Sequence, residues 1–183
     1  MAVNIFEAYT NPISHERIQV MSHTPEALVM QWGLPATGYV PFGHIHQNQQ
    51  EDLLVKKGCL RVVMNGKEHL AKAGERIVIP KGMAHVAGNG ADEPLECEAT
   101  FTPGLDQHKF FQCLIGLSKD GFVDKQGASS IPRMGYCLMR MKAACMVLPG
   151  AIPVPVFRVA MRFFLLRGRL SGWEKLYRKY TQD

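Results

Sequence analysis

Residues 43–51, GHIHQNQQE, set two histidines one residue apart and a glutamate five positions beyond the second. A polar loop is the plain reading. The spacing argues for more. On a β-strand, side chains i and i+2 leave the same face, so His44 and His46 project both imidazoles toward one point. Glu51 follows a short connection and can aim back from the next strand. Residues 80–85, PKGMAH, place His85 after a glycine-containing turn, at the start of another strand. Three neutral imidazoles and one carboxylate form a mixed nitrogen and oxygen donor set. Such a set suits one divalent ion of iron, manganese, nickel, cobalt, copper or zinc, and no sulfur ligand narrows the choice.

The flanking chain, from about residue 17 to 103, reads as short strands separated by turns. Residues 95–101, LECEATF, alternate cleanly: Leu95, Cys97, Ala99 and Phe101 share one face, Glu96, Glu98 and Thr100 the other. Asn65-Gly66 stands between two β-rich segments and predicts a type I′ hairpin turn. Gly58, Gly74 and Gly82 mark further turns. Many short strands without an intervening helix predict a sandwich or barrel, mainly β. Parity extends inward from the histidines. If His44 and His46 face the interior, so do Val40 and Phe42; if Glu51 does, so do Leu53 and Val55; Ile77 and Ile79 join them. Arg61, Glu96 and Glu98 are expected in solvent.

The spacing resembles the cupins, whose first motif is G-x5-H-x-H-x3–4-E-x6-G and whose second is G-x5-P-x-G-x2-H-x3-N. Gly38, His44, His46, Glu51 and Gly58 match the first. Gly74, Pro80, Gly82, His85 and Asn89 match the second, fifteen residues further on. The resemblance covers roughly residues 35–103. It implies a double-stranded β-helix, or jelly roll, with His44, His46, Glu51 and His85 as metal ligands and Asn89 shaping its turn. It also implies a homodimer and a double role for Glu51 as ligand and catalytic base. Val40, Phe42, Leu53, Val55 and Met83 are the pocket candidates. Tyr39 and His69 are the further acid/base candidates, and His15, His23 and His108 read as surface or packed residues.

Beyond Pro103-Gly104 the pattern changes, which divides the chain into a β-barrel domain over residues 1–104 and a helical extension over 105–183. Residues 105–119 carry Phe110, Phe111, Leu114, Ile115 and Leu117 at helical spacing. Residues 134–148 predict a second helix and residues 157–180 a third, weakened at Gly168 and Gly172. The net charge of +5 belongs to the tail: residues 158–183 hold seven Lys/Arg against Glu174 and Asp183, while residues 1–157 balance to zero. This excludes a basic nucleic-acid-binding body, and no nucleic-acid motif accompanies the charge. In the third helix Arg158, Arg162 and Arg169 share a narrow arc beside Phe157, Ala160, Met161 and Phe164. The favoured reading packs the apolar arc on the barrel or on a second subunit. The alternative lays a basic amphipathic helix on an anionic membrane surface.

Five scattered cysteines without a C-x-x-C pair predict free thiols in a reducing cytoplasm. The N-terminal residues lack a basic start followed by an apolar run, so no signal peptide is expected. The expected activity is metal-dependent chemistry on a small, largely apolar organic substrate, with an oxygenase or dioxygenase first. The same site could instead serve a Lewis-acid isomerase, cyclase, decarboxylase or lyase, or a non-enzymatic metabolite binder.

Overall fold

The structure is a computed structural model and describes residues 3–36, 38, 40, 43–129, 131–143, 145–147 and 154–182. The elements, in chain order, are β1 (Tyr9–Thr10), β2 (Arg17–His23), β3 (Leu28–Leu34), β4 (His44–His46), β5 (Gln50–Lys57), β6 (Cys59–Met64), β7 (Lys67–Lys72), β8 (Arg76–Ile79), β9 (Ala84–Asn89) and β10 (Leu95–Thr102). They continue as α1 (Gln107–Lys119), α2 (Ile131–Leu138), β11 (Cys145–Val147), α3 (Val154–Leu170) and α4 (Trp173–Thr181).

Among the described residues the strands form two antiparallel sheets. One has the order β1-β2-β3-β10-β5-β8, the other β11-β4-β9-β6-β7. Alternation decides which side chains face the space between them. In β10, Leu95, Cys97, Ala99 and Phe101 are buried while Glu96 and Thr102 are exposed. Leu53 and Val55 of β5, Leu60 and Val62 of β6 and Ile77 and Ile79 of β8 complete one core shared by both sheets. Each large aliphatic side chain so buried contributes about 1.5–3 kcal/mol. The hairpin between β6 and β7 turns at Asn65 and Gly66, which have φ of 49° and 75°. Two consecutive positive φ values are what a type I′ turn requires, and Asn-Gly supplies them at least cost.

The extension is helical with one exception. Residues 145–147, expected inside the second helix, are the strand β11. Helix α2 ends at Leu138, and Cys145, Met146 and Val147 pair antiparallel with His46, Ile45 and His44. The physical reason is tertiary. Without β11, strand β4 would present a row of unpaired backbone groups, and a short β-compatible segment placed beside such an edge gains more from pairing than from continuing a helix. Asp106 fixes the approach: its carboxylate accepts from the backbone N–H groups of Lys142 and Ala143 at 2.8 and 2.7 Å. The third expected helix is two helices, broken at Gly172, whose φ is 76°. Gly168 stays helical, and a Cβ there would lie 2.4 Å from the Tyr136 ring. Gly116 of α1 is likewise pressed against the Tyr180 ring, 2.3 Å from the place a Cβ would take.

Candidate metal centre

The four expected ligands converge from both sheets. His44 and His46 come from β4 and His85 from the adjacent β9, where it stands directly opposite His44. Glu51 comes from β5 of the facing sheet, paired with Phe101 and Ile79. One donor atom from each of the four lies within 4.8 Å of every other. His46, Glu51 and His85 are buried and His44 is partly exposed. The rings of His44 and His85 are 4.2 Å apart between centroids, and Phe101 packs edge-on against His46 at 5.2 Å.

Glu51 organises the cluster. Its Oε2 lies 3.0 Å from His85 Nε2 and 3.4 Å from His46 Nε2. Burial pushes the Glu51 carboxyl up, but contact with the two imidazoles and their charge more than reverses this and holds it well below the usual carboxylate range. Burial pushes the His85 imidazole down, and the Glu51 carboxylate overcomes that to raise it. Burial and the Glu51 charge push the Cys97 thiol up to about 12, so no thiolate competes as a ligand at neutral pH.

The donor chemistry fits a divalent cation. His85 Nδ1 is 3.0 Å from the Met83 carbonyl oxygen. A carbonyl only accepts, so Nδ1 carries the hydrogen and a neutral ring must turn the Nε2 lone pair toward Glu51. Lone pair against carboxylate is repulsive unless a proton or a cation lies between. His46 raises the same demand, because both of its ring nitrogens are buried without a hydrogen-bond partner. One proton on His85 would leave His46 unsatisfied. One divalent ion would serve all four side chains. Donors about 2.1 Å from a common ion stand about 3–4 Å from each other, so the widest pair, at up to 4.8 Å, must close by about 1 Å. The Met83 contact is the second-layer hydrogen bond that commonly orients a ligating imidazole.

The cluster opens into a cavity of about 390 Å³, a size typical of small-molecule sites. His44, His46 and Glu51 form part of its wall. Apolar side chains dominate the rest: Met30, Trp32, Val40, Ala99 and Phe101 from the barrel, and Phe110, Phe111 and Leu114 from α1. Residues 13–16 and 125–129 also line the cavity. Buried Asn11 ties these loops together: its amide donates to the Gly127 carbonyl at 3.2 Å, and its Oδ1 accepts from the Ile13 and Ser14 N–H groups.

Of the expected pocket residues, Val40 lines this cavity. Phe42 and Tyr39 lie outside the described residues, as do the side chains of Phe157, Met161 and Phe164. Leu53 and Val55 face inward but do not reach the cavity. They sit further along β5, where the inward face is filled by core side chains. Met83 is partly buried against the core and meets the site through its carbonyl rather than its side chain. His69 is exposed on β7 and takes no part, while His23 Nε2 donates to the Leu105 carbonyl oxygen at 2.8 Å and its ring packs on His108. Among the cavity's polar residues outside the motifs are Glu16, Gln107 and Ser129. Gln107 alone had a readable signal, since it shares the i, i+3, i+4, i+7 stripe of Phe110, Phe111 and Leu114 as its one polar member.

Two antiparallel sheets closed around a polar histidine cluster define a jelly-roll barrel with an internal site. Residues 32–101 match the family model described as Cupin domain. No curated protein matches the chain. KdgF from Halomonas sp. is similar in structure, with a TM-score of 0.50 and 17% identity over 56% of this chain and 92% of that one. A double-stranded β-helix domain protein from Klebsiella pneumoniae is similar over 54% of this chain and 80% of that one, at 23% identity and a TM-score of 0.47. The likeness to KdgF concerns the fold alone. Among the described residues no helix is long and apolar enough to cross a membrane.

Proposed function

We propose that the chain is a metal-dependent enzyme acting on a small, largely apolar organic molecule, with oxygenase chemistry as the first reading. The observation that carries it is the opening of a buried three-histidine, one-glutamate cluster into a cavity with apolar walls. His44, His46, Glu51 and His85 would hold the ion. A bound divalent metal supplies Lewis acidity and, for a redox-active ion, a route to dioxygen. The chain's own residues do the rest. Phe101, Phe110 and Phe111 exclude water and orient an apolar body. Met83 fixes the His85 tautomer. Glu51, part of the cavity wall, can take up a proton if it loosens from the ion.

A second reading is non-oxidative chemistry, an isomerase, cyclase, decarboxylase or lyase on the same ion. It is favoured by a second carboxyl, Glu16, on the cavity wall, where it can hold or release a proton. Elemental analysis of protein purified without added metal tests the ligand set. One equivalent of a transition metal is expected, and its absence from wild-type protein after reconstitution overturns the proposal. Oxygen consumption during turnover separates the two chemistries: undiminished anaerobic turnover removes the oxygenase reading.

A further inference from the structure

The metal cluster is one polar pole of the cavity. Among the other polar residues on its walls, Gln107 and Ser129 keep buried groups without a hydrogen-bond partner. Gln107 is 1% exposed and its Oε1 has no hydrogen-bond partner; Ser129 is 7% exposed and its Oγ has none. Glu16 accepts one hydrogen bond at Oε1, from the Trp32 indole N–H at 2.8 Å. Burial pushes the Glu16 carboxyl up, and the Trp32 bond draws it back only in part. A buried polar group without a partner costs about 1–3 kcal/mol, so native proteins rarely keep several on one cavity unless something fills them.

We propose that Glu16, Gln107 and Ser129 form a second polar subsite that selects substrates bearing a hydroxyl group remote from the metal-binding end. This rests on the proposed metal-dependent reading for the chelating end alone. The substrate class then has three parts: oxygen donors that reach the ion, an apolar body lying along Phe101, Phe110 and Phe111, and a distal hydroxyl that donates to the subsite. A hydroxyl suits the site better than an ammonium, because the burial that pushes the Glu16 carboxyl up also penalises a buried ammonium.

The test uses matched probes on the full-length, metal-loaded chain by calorimetry. Mandelate offers a chelating 2-hydroxy acid and an aromatic body; 4-hydroxymandelate adds one distal hydroxyl; 4-(aminomethyl)mandelate replaces it with an ammonium group. Wild-type protein is expected to bind 4-hydroxymandelate about tenfold more tightly than mandelate, the worth of one or two well-made hydrogen bonds. Glu16→Gln and Ser129→Ala should each shrink that ratio, and the double variant should bring it to about one, with mandelate affinity and metal content unchanged. A ratio near one in wild type, a ratio unmoved in the variants, or tightest binding of the ammonium probe each overturns the subsite. Metal content in the same samples reports on the metal reading separately. In metal-free protein, 4-cresol, which has the body and hydroxyl without the chelator, should still bind wild type more tightly than the double variant.

A different observation carries a second inference. On α3, Val156, Val159, Phe163, Leu166 and Leu170 are all at least 57% exposed. At about 100° per residue they fall within an arc of about 80°. Exposed Arg162 and Arg169 border one side of that arc and exposed Arg167 the other, and α3 contains no acidic residue. A second copy of the helix would bring like charges together along both borders. We infer that this face docks on an anionic lipid surface, with the stripe entering the headgroup boundary and the arginines pairing with phosphates. Vesicles of phosphatidylcholine with phosphatidylglycerol should co-float the protein at least tenfold better than phosphatidylcholine alone, and Phe163→Glu with Leu166→Glu should abolish this. No lipid preference, or a dimer in light scattering that the same substitutions dissolve, overturns the inference.

Discussion

Replacing Glu51 by glutamine keeps the shape of the side chain and removes its charge. In the folded chain Oε2 faces His85 Nε2 at 3.0 Å and His46 Nε2 at 3.4 Å, so one substitution weakens every link between the facing sheets at this point. The apo protein should tolerate it, because the amide can donate to a ring nitrogen where the carboxylate could only accept. The loss falls on the metal complex. A saturating ion at a thousand times its dissociation constant stabilises the folded state by about 4.1 kcal/mol. For a chain of this length that raises the melting temperature by about 8–16 °C. Losing a carboxylate ligand costs at least the hundredfold that losing a supporting hydrogen bond can cost. At the same metal concentration the stabilisation then drops to about 1.4 kcal/mol, or about 3–6 °C. Calorimetric melts of wild type and Glu51→Gln, each with and without the metal found by elemental analysis, read this directly. Equal metal-induced shifts in the two proteins would refute the reasoning, since a carboxylate that contributes nothing to ion binding is not a ligand.

Metal affinity should rise with pH through the histidine range, because each imidazole must give up its proton to ligate; titration at pH 5.5 and 7.5 measures it. Gly116→Ala should lower the melting temperature by about 2–12 °C, since a Cβ there would lie 2.3 Å from the Tyr180 ring and overpacking costs about 1–3 kcal/mol, while metal content stays unchanged. Asp106→Ala should cost about 2 kcal/mol by freeing the Lys142 and Ala143 N–H groups, and hydrogen exchange should show faster exchange across residues 145–147. Asp120 accepts from Lys179 Nζ at 2.6 Å and from the Tyr180 hydroxyl at 2.7 Å, and these two hold its carboxyl below the usual range. Its folded value being depressed, the stability it adds is complete above about pH 4 and lost as pH falls further. Acid unfolding of Asp120→Asn should therefore show a shallower loss of stability below pH 4 than wild type.

The ligand set was legible because it obeys local geometry. Strand parity puts His44 and His46 on one side, and the turn before His85 delivers a third ring to a neighbouring strand. The same parity placed Leu53 and Val55 inward, yet it cannot say how deep along β5 the cavity ends and packed core begins. Strand β11 escaped because residues 145–147 have no strand pattern of their own; what makes them a strand is the open edge of β4, a partner about a hundred residues away. Glu16 and Ser129 escaped for a similar reason. Their meaning comes from the cavity they face, and nothing adjacent in sequence sets them apart. Gln107 was the exception, a polar residue in an otherwise apolar helical stripe.

The pairing of β11 with β4 has a consequence for synthesis. The ligand-bearing strand leaves the ribosome early, whereas its outer neighbour emerges only after nearly all of the barrel has been made. Until then the histidine strand is a bare margin, able to fray or to seize another nascent chain. Closure is therefore a late, long-range event, slow by topology and paid for in loop entropy. An ion captured before that moment meets a looser cluster than one captured after it, so the order of metal uptake and tail docking sets how the centre matures.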